Sequence, residues 1–303
     1  MGSGFISSIE DTIKDTGDLT KVHVREMAVA KVNSKVYRTG LLLLAMGAVN
    51  RISSLEFYIM KSMEIDSLHT PDVFPIEERR GIYKAIYARR DIRHFRDEPI
   101  PGPVLARIIQ AAHQGPSVGF MQPWDLILIR SVEVRAQIKE LFERERQAAA
   151  CFFDEPRRSQ YLSLKLEGIL ESPINLCITC DPTRAGEVLG RNSIQETDVY
   201  STCCAVQNLW LAARGEGVGV GLVSVLKMPQ LRKILGIPPH VIPVAYLCLG
   251  YPVEFPTQPT LQTAGWRDRL PVDGLLHYDD WDTGNPSPEW DDFKLALREE
   301  GDG

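Results

Sequence analysis

The chain has 303 residues, 44% of them hydrophobic and 24% charged, which is the make-up of a soluble globular protein of one large or two small domains. Its formal net charge of -6 argues against nucleic acid or an anionic membrane as the main partner, while leaving room for a local basic pocket. Six cysteines in a chain of this length form no disulfide framework and fit a reducing cytosol.

Residues 1–75 alternate polar stretches with one apolar run, Gly40–Val49, preceded by Lys31, Lys35 and Arg38. A membrane span needs about 20 apolar residues, so this run is too short to cross, and it starts too far from the terminus for a secretory signal. The segment reads as a mobile extension, a small docking helix, or sequence upstream of a start at Met60 or Met63.

From Glu77 to Arg90 the spacing of Ile82, Ala85, Ile86 and Ala88 predicts a helix. Continued helical geometry would bring Arg89, Arg90 and Arg93, at i, i+3 and i, i+4 spacing, to one region able to grip a phosphate monoester. The bland reading is a solvated helix end whose cations face the negative pole of the dipole. Asp91 among these cations is either a surface ion pair or a proton-transfer group.

Pro101-Gly102-Pro103 opens a second helix carrying Val104, Leu105, Ile108, Ile109 and Ala112, and Gly115-Pro116 ends it. Ser117, Gly119 and Gln122 follow in a loop bounded by Pro116 and Pro123, where Gly119 permits close approach of a planar ligand and Trp124 reads as core. Trp124–Arg130, Ile174–Cys180 and Val241–Leu249 are short apolar runs expected as buried strands. Cys177 and Cys180 match CxxC, but a strand puts i and i+3 on opposite faces, which argues against joint metal or redox use. A long helix over about 193–214 is expected to run through the centre and to stop at Gly215 and Gly217. The glycine run Gly217–Gly221 then follows a helix and enters an extended segment, the reverse of a dinucleotide-binding loop. Ser224 in that apolar segment needs a hydrogen-bond partner if buried. The histidines His94, His113, His240 and His277 show no metal-ligand spacing. From Asp279 the chain is acidic, with nine Asp or Glu against Lys294 and Arg298, and reads as solvated and mobile.

Arg89-Arg90-Asp91-Ile92-Arg93 and Pro116–Trp124, with Glu171-Ser172-Pro173, Arg191–Thr197, Gln207–Trp210 and Gly217–Ser224, resemble in order the motifs of the flavin-dependent nitroreductase superfamily. Aspartate at 91, where most members have serine, is similar to the 5,6-dimethylbenzimidazole synthase (BluB) branch. The resemblance implies an α+β sandwich, a central mostly antiparallel sheet flanked by helices, with flavin at a homodimer interface. It divides the chain into an extension (1–75), an FMN domain (76–282) and an acidic tail (283–303).

It further implies flavin contacts from Arg89, Arg90, Asp91, Ile92, Arg93, Ser117, Gly119, Gln122, Ser224 and Arg269, with Arg267 the competing choice for the last. Asp91 and Ser224 carry the catalytic roles. The implied reaction is O₂-dependent fragmentation of reduced FMN, as substrate, to 5,6-dimethylbenzimidazole and erythrose 4-phosphate, without metal, in the cytoplasm. A separate flavin reductase supplies the reduced flavin. The alternatives are a nitroreductase or dehalogenase-like enzyme that recycles its flavin, and a flavin-sequestering protein for which Asp91 is dispensable.

Overall fold

The computed structural model describes residues 73–281 and 288–301. The extension with its Gly40–Val49 run lies outside the described residues as far as 72, and Phe74–Gly303 forms a compact unit. No described helix is long and apolar enough to cross a membrane.

In chain order the elements are α1 (Ile76–Ala88), α2 (Gly102–His113), β1 (Trp124–Ile129), α3 (Val132–Ala150), α4 (Arg157–Ser163), β2 (Ile174–Cys180) and α5 (Thr197–Gly215). These are followed by β3 (Gly219–Leu222), α6 (Met228–Leu235), β4 (Ile242–Gly250), α7 (Thr260–Thr263) and α8 (Asp291–Gly301). The four strands form one sheet in the order β1-β2-β4-β3, and every neighbouring pair is antiparallel.

β2 is buried along its whole length, and its period of two separates two cores. Ile174, Leu176 and Ile178 join Leu247, Leu249 and Val220 on one face, under Ile108 of α2 and Ala205, Leu209 and Ala213 of α5. Cys177 joins Tyr246 and Cys248 on the other face, against Ile138, Leu141 and Phe142 of α3 and Leu231 of α6. The result is a helix, sheet, helix sandwich. The two cysteines of the CxxC pattern lie on opposite faces, and burial pushes the Cys177 thiol up to about 12.

α5 lays a stripe of Asp198, Ser201, Thr202, Ala205, Leu209 and Ala213 against the sheet. α1 starts where predicted but ends at Ala88, before the expected Arg90, and it contributes no buried residue: Ile82, Tyr83, Ile86 and Tyr87 are all exposed. In the acidic stretch expected to be mobile, Asp291–Gly301 forms α8 instead. Trp290 meets Phe293 edge-on at 5.8 Å and Tyr278 at 5.3 Å, an aromatic anchor that the charge count concealed.

Glu167 is buried and accepts from Lys139 Nζ at 2.6 Å and from the Ile169 amide at 2.7 Å, with Lys165 Nζ at 3.4 Å. Burial alone would raise its pKa, but the two ammonium groups and the amide outweigh that and hold it below the usual value. A depressed folded pKa gives stability that is complete above the unfolded value and lost as pH falls through the folded one. Glu167→Gln is therefore expected to lower the melting temperature at neutral pH, with the gap to wild type narrowing as pH falls below about 4, the ordinary range of a glutamate. Thermal melts across that range check it, and a gap that persists in acid would exclude Glu167 as the source.

Candidate functional site

The site is built where the chain leaves α1. The helix stops at Ala88, and Arg89 adopts extended backbone with φ -65 and ψ 133. Asp91 forms a parallel bridge with Val220, and the Ile92 amide donates to the Val220 carbonyl at 3.0 Å. The expected helical convergence of Arg89, Arg90 and Arg93 does not occur, because pairing with the free edge of β3 overrides helix propensity. Ile92, expected among the flavin contacts, is a core residue only 3% exposed, so its side chain is structural.

A different set of guanidinium groups meets instead. Arg89 stacks over the Trp210 ring at 4.8 Å. Arg90 donates to the carbonyls of Tyr87 at 2.6 Å, Arg89 at 2.7 Å and Thr257. Arg214, on the last turn of α5, donates from Nε to the Ala88 carbonyl at 3.1 Å and covers the Phe255 ring at 3.9 Å. Partial burial, and then the charges of Arg89, Arg269 and Arg214, lower the pKa of Arg90. Of the two C-terminal candidates it is therefore Arg269 whose charge reaches Arg90. Among the described residues, none of these four arginines has a carboxylate at ion-pair distance. Like charges gathered without a counter-ion favour a multiply charged anion, and the hydrogen-bond donors of Arg89 and Arg269 have no acceptor from the described chain.

Arg93 belongs to a second cluster. Its guanidinium grips both oxygens of Asp91, with Nη1 2.5 Å from Oδ1, and the Leu222 amide donates to the same Oδ1 at 2.9 Å. Arg93 is only 13% exposed by side chain, whereas Asp91 is 44% exposed, so the carboxylate is held from beneath and open above. Gly221 makes this fit possible: a Cβ there would lie 2.0 Å from the Ile92 carbonyl oxygen and 2.7 Å from Arg93 Nη1. Ser224, two residues past Leu222, is exposed, so its hydroxyl needs no buried partner.

The third predicted cluster lies elsewhere. Ser117 Oγ accepts from the Gln122 amide at 3.1 Å, and Ser201 Oγ of α5 accepts from the Val118 amide at 3.0 Å. Gly119 has φ 51, and a Cβ there would meet Val188 at 2.6 Å and the Leu189 amide nitrogen at 2.9 Å. Within the chain, the close approach that this glycine permits is to the 188–189 segment. From Ser201, the helical rise carries Trp210 and Arg214 about 14 and 20 Å further along α5. A single chain does not bring the loop and the arginines together.

A cavity of about 410 Å³ between α2 and β1 is lined by His113, Met121, Gln122, Trp124, Asp125 and Arg184, among others, and contains none of the four arginines. Trp124 is a core residue, its indole N–H reaching His113 Nδ1 at 3.3 Å. Sequence reasoning missed Arg214 as a site residue. Its only signal was a basic side chain in the last turn of a long helix, which dipole compensation explains equally well.

The Nitroreductase family model matches residues 86–251. The chain is 40% identical over 205 residues to the 5,6-dimethylbenzimidazole synthase of Rhodospirillum rubrum, covering 67% of this chain and 97% of that protein. It is 38% identical over 202 residues to the enzyme of the same name from Rhodobacter capsulatus, covering 66% and 97%. Among solved structures, oxidised iodotyrosine deiodinase bound to FMN and 3-iodo-L-tyrosine superposes with a TM-score of 0.53 at 18% identity, covering 66% of this chain and all of that one. The overlay spans the sandwich and so supports the fold. The chain belongs to the Nitroreductase family.

Proposed function

We propose that the protein is a 5,6-dimethylbenzimidazole synthase, which consumes reduced FMN and O₂ and releases the benzimidazole and erythrose 4-phosphate. The observation that carries this reading is Asp91, a carboxylate fixed by Arg93 and the Leu222 amide and open on one side, beside a guanidinium cluster that has no counter-ion among the described residues. The naming of relatives at 38–40% identity supports it.

The residues fit FMN. Arg89 and Arg269 offer donors to a phosphate dianion, while Arg214 and Arg90 add charge from behind. Bound reduced FMN supplies both the electrons for O₂ and the carbon skeleton of the product. Asp91 accepts or returns a proton at its solvent-facing edge while Arg93 and Leu222 hold its orientation. No metal takes part. A separate flavin reductase in the cytoplasm delivers the reduced flavin.

The site is completed by a second copy of the chain. The Ser117–Gln122 loop, with Gly119 and Ser117, stands too far along α5 to meet the arginines of its own chain, and the exposed apolar residues of α1 offer a surface to cover. Ser224 faces the flavin from the β3 side.

Mass spectrometry after mixing the protein with enzymatically reduced FMN in air tests the proposal. Protein-dependent 5,6-dimethylbenzimidazole is the expected result. Intact FMN that persists through turnover would replace it with a nitroreductase or dehalogenase-like activity.

A further inference from the structure

The segment after β4 touches the arginine cluster, leaves it and returns. Phe255 lies under Arg214, and the Thr257 carbonyl accepts from Arg90. The chain then runs outward through α7 and comes back at Arg269, whose charge acts on Arg90. One end of the 257–269 loop therefore bonds Arg90 and the other brings a charge within reach of it, and the path between them decides where Arg269 arrives.

The far side of that loop is fastened to α4. Arg157 donates from Nη2 to the Trp266 carbonyl at 2.7 Å, and its guanidinium carbon stands 3.6 Å from the centre of the Trp266 ring. Gln160 Nε2 donates to the Ala264 carbonyl at 2.9 Å. Phe153 and Tyr161 enclose the same indole at 5.4 and 6.2 Å. Arg157 thus combines a hydrogen bond and a cation–π contact on one residue of the loop, three positions before Arg269. No carboxylate pairs with Arg157 among the described residues, so this contact is its principal engagement.

We propose that Arg157 is a positioning residue for the phosphate end of the flavin: by pinning Trp266 to α4, three positions before Arg269, it sets where Arg269 stands relative to Arg90. The inference rests on reading the guanidinium cluster as the phosphate site. An unpinned loop of this length samples many closures, and a bidentate donor displaced by a fraction of its hydrogen-bond length loses most of its directional gain.

Titrations of oxidised FMN and of riboflavin, followed by quenching of flavin fluorescence, separate this from a general structural role. Arg269→Met is expected to weaken FMN by about tenfold or more while leaving riboflavin unchanged, since a charge-assisted phosphate contact is lost. Arg157→Met should reproduce part of that selective loss, and Arg157→Lys, which keeps a cation over the indole, a smaller part. The Arg157→Met/Arg269→Met double variant should bind FMN no more weakly than Arg269→Met alone. Equal weakening of FMN and riboflavin by Arg157→Met, no weakening of either, or additive losses in the double variant would overturn the positioning role. An unchanged FMN-to-riboflavin ratio in Arg269→Met would remove the phosphate reading itself, and the positioning role with it. If Arg157→Met does not fold, Gln160→Ala removes the Ala264 bond and the 3.2 Å bond that Gln160 Oε1 accepts from Arg157 Nη1, while leaving Arg157 on the Trp266 ring, and should give the same selective loss in milder form; a non-selective loss or none there would also overturn the proposal.

Discussion

Asp91→Asn is expected to bind FMN within a few-fold of wild type and to lose 5,6-dimethylbenzimidazole formation by about 100-fold or more, the usual scale for removing a positioned proton-transfer group. The substitution is nearly isosteric, and the amide oxygen still accepts from the Leu222 N–H that holds Oδ1 at 2.9 Å. The guanidinium cluster is built from Arg89, Arg90, Arg214 and Arg269, none of which bonds to Asp91, so the anion grip is left in place. What disappears is a group that takes up and returns a proton. The asparagine NH₂ also faces Arg93, two donors where an ion pair stood, so Asp91→Glu serves as a control that keeps the charge while moving it by one methylene. Fluorescence titration reports binding and mass spectrometry reports product. Synthesis by Asp91→Asn at the wild-type rate would remove Asp91 from the chemistry and leave it as the partner that orients Arg93.

Much of this arrangement could be read from sequence, for definite physical reasons. The bounds of β2 are legible because a mostly apolar run between Pro173 and Asp181, broken only by Asn175 and Thr179, has one economical fate, a strand buried on both faces. α2 follows from Pro101-Gly102-Pro103 and Gly115-Pro116, which mark its two ends. Arg89–Arg93 was misread because arginine favours helix locally, whereas the deciding partner, Val220, lies more than a hundred residues away. Arg214 escaped notice for the same reason: its acceptor, the Ala88 carbonyl, is 126 positions distant. Gly119 shows a third kind of limit. A glycine announces close approach without naming what approaches, and within the chain it is Val188 and Leu189, which the sequence does not indicate.

Gly221→Ala is expected to damage the site more than any other single methyl group added to the glycine run that follows α5. At Gly219 a new Cβ would meet side-chain atoms of Ile92 at 2.9 and 3.1 Å, which a rotamer change relieves in part. At Gly221 the obstacle is main chain: the Ile92 carbonyl oxygen would be 2.0 Å away, and Arg93 Nη1 2.7 Å. The backbone of residues 91–93 has to move off β3, which breaks the Ile92 amide bond to Val220 and the Leu222 amide bond to Asp91 together. Overpacking of this kind costs about 1–3 kcal/mol, and the two broken hydrogen bonds push it to the upper end. Gly221→Ala should therefore melt several degrees below Gly219→Ala and lose product formation, while Gly219→Ala retains most of its turnover. Equal melting temperatures and equal turnover for the two variants would show that the 89–93 segment is not held against β3 as described. The comparison also ties fold to chemistry, because the glycine that lets the edge segment close is the one that lets Asp91 reach the Leu222 amide.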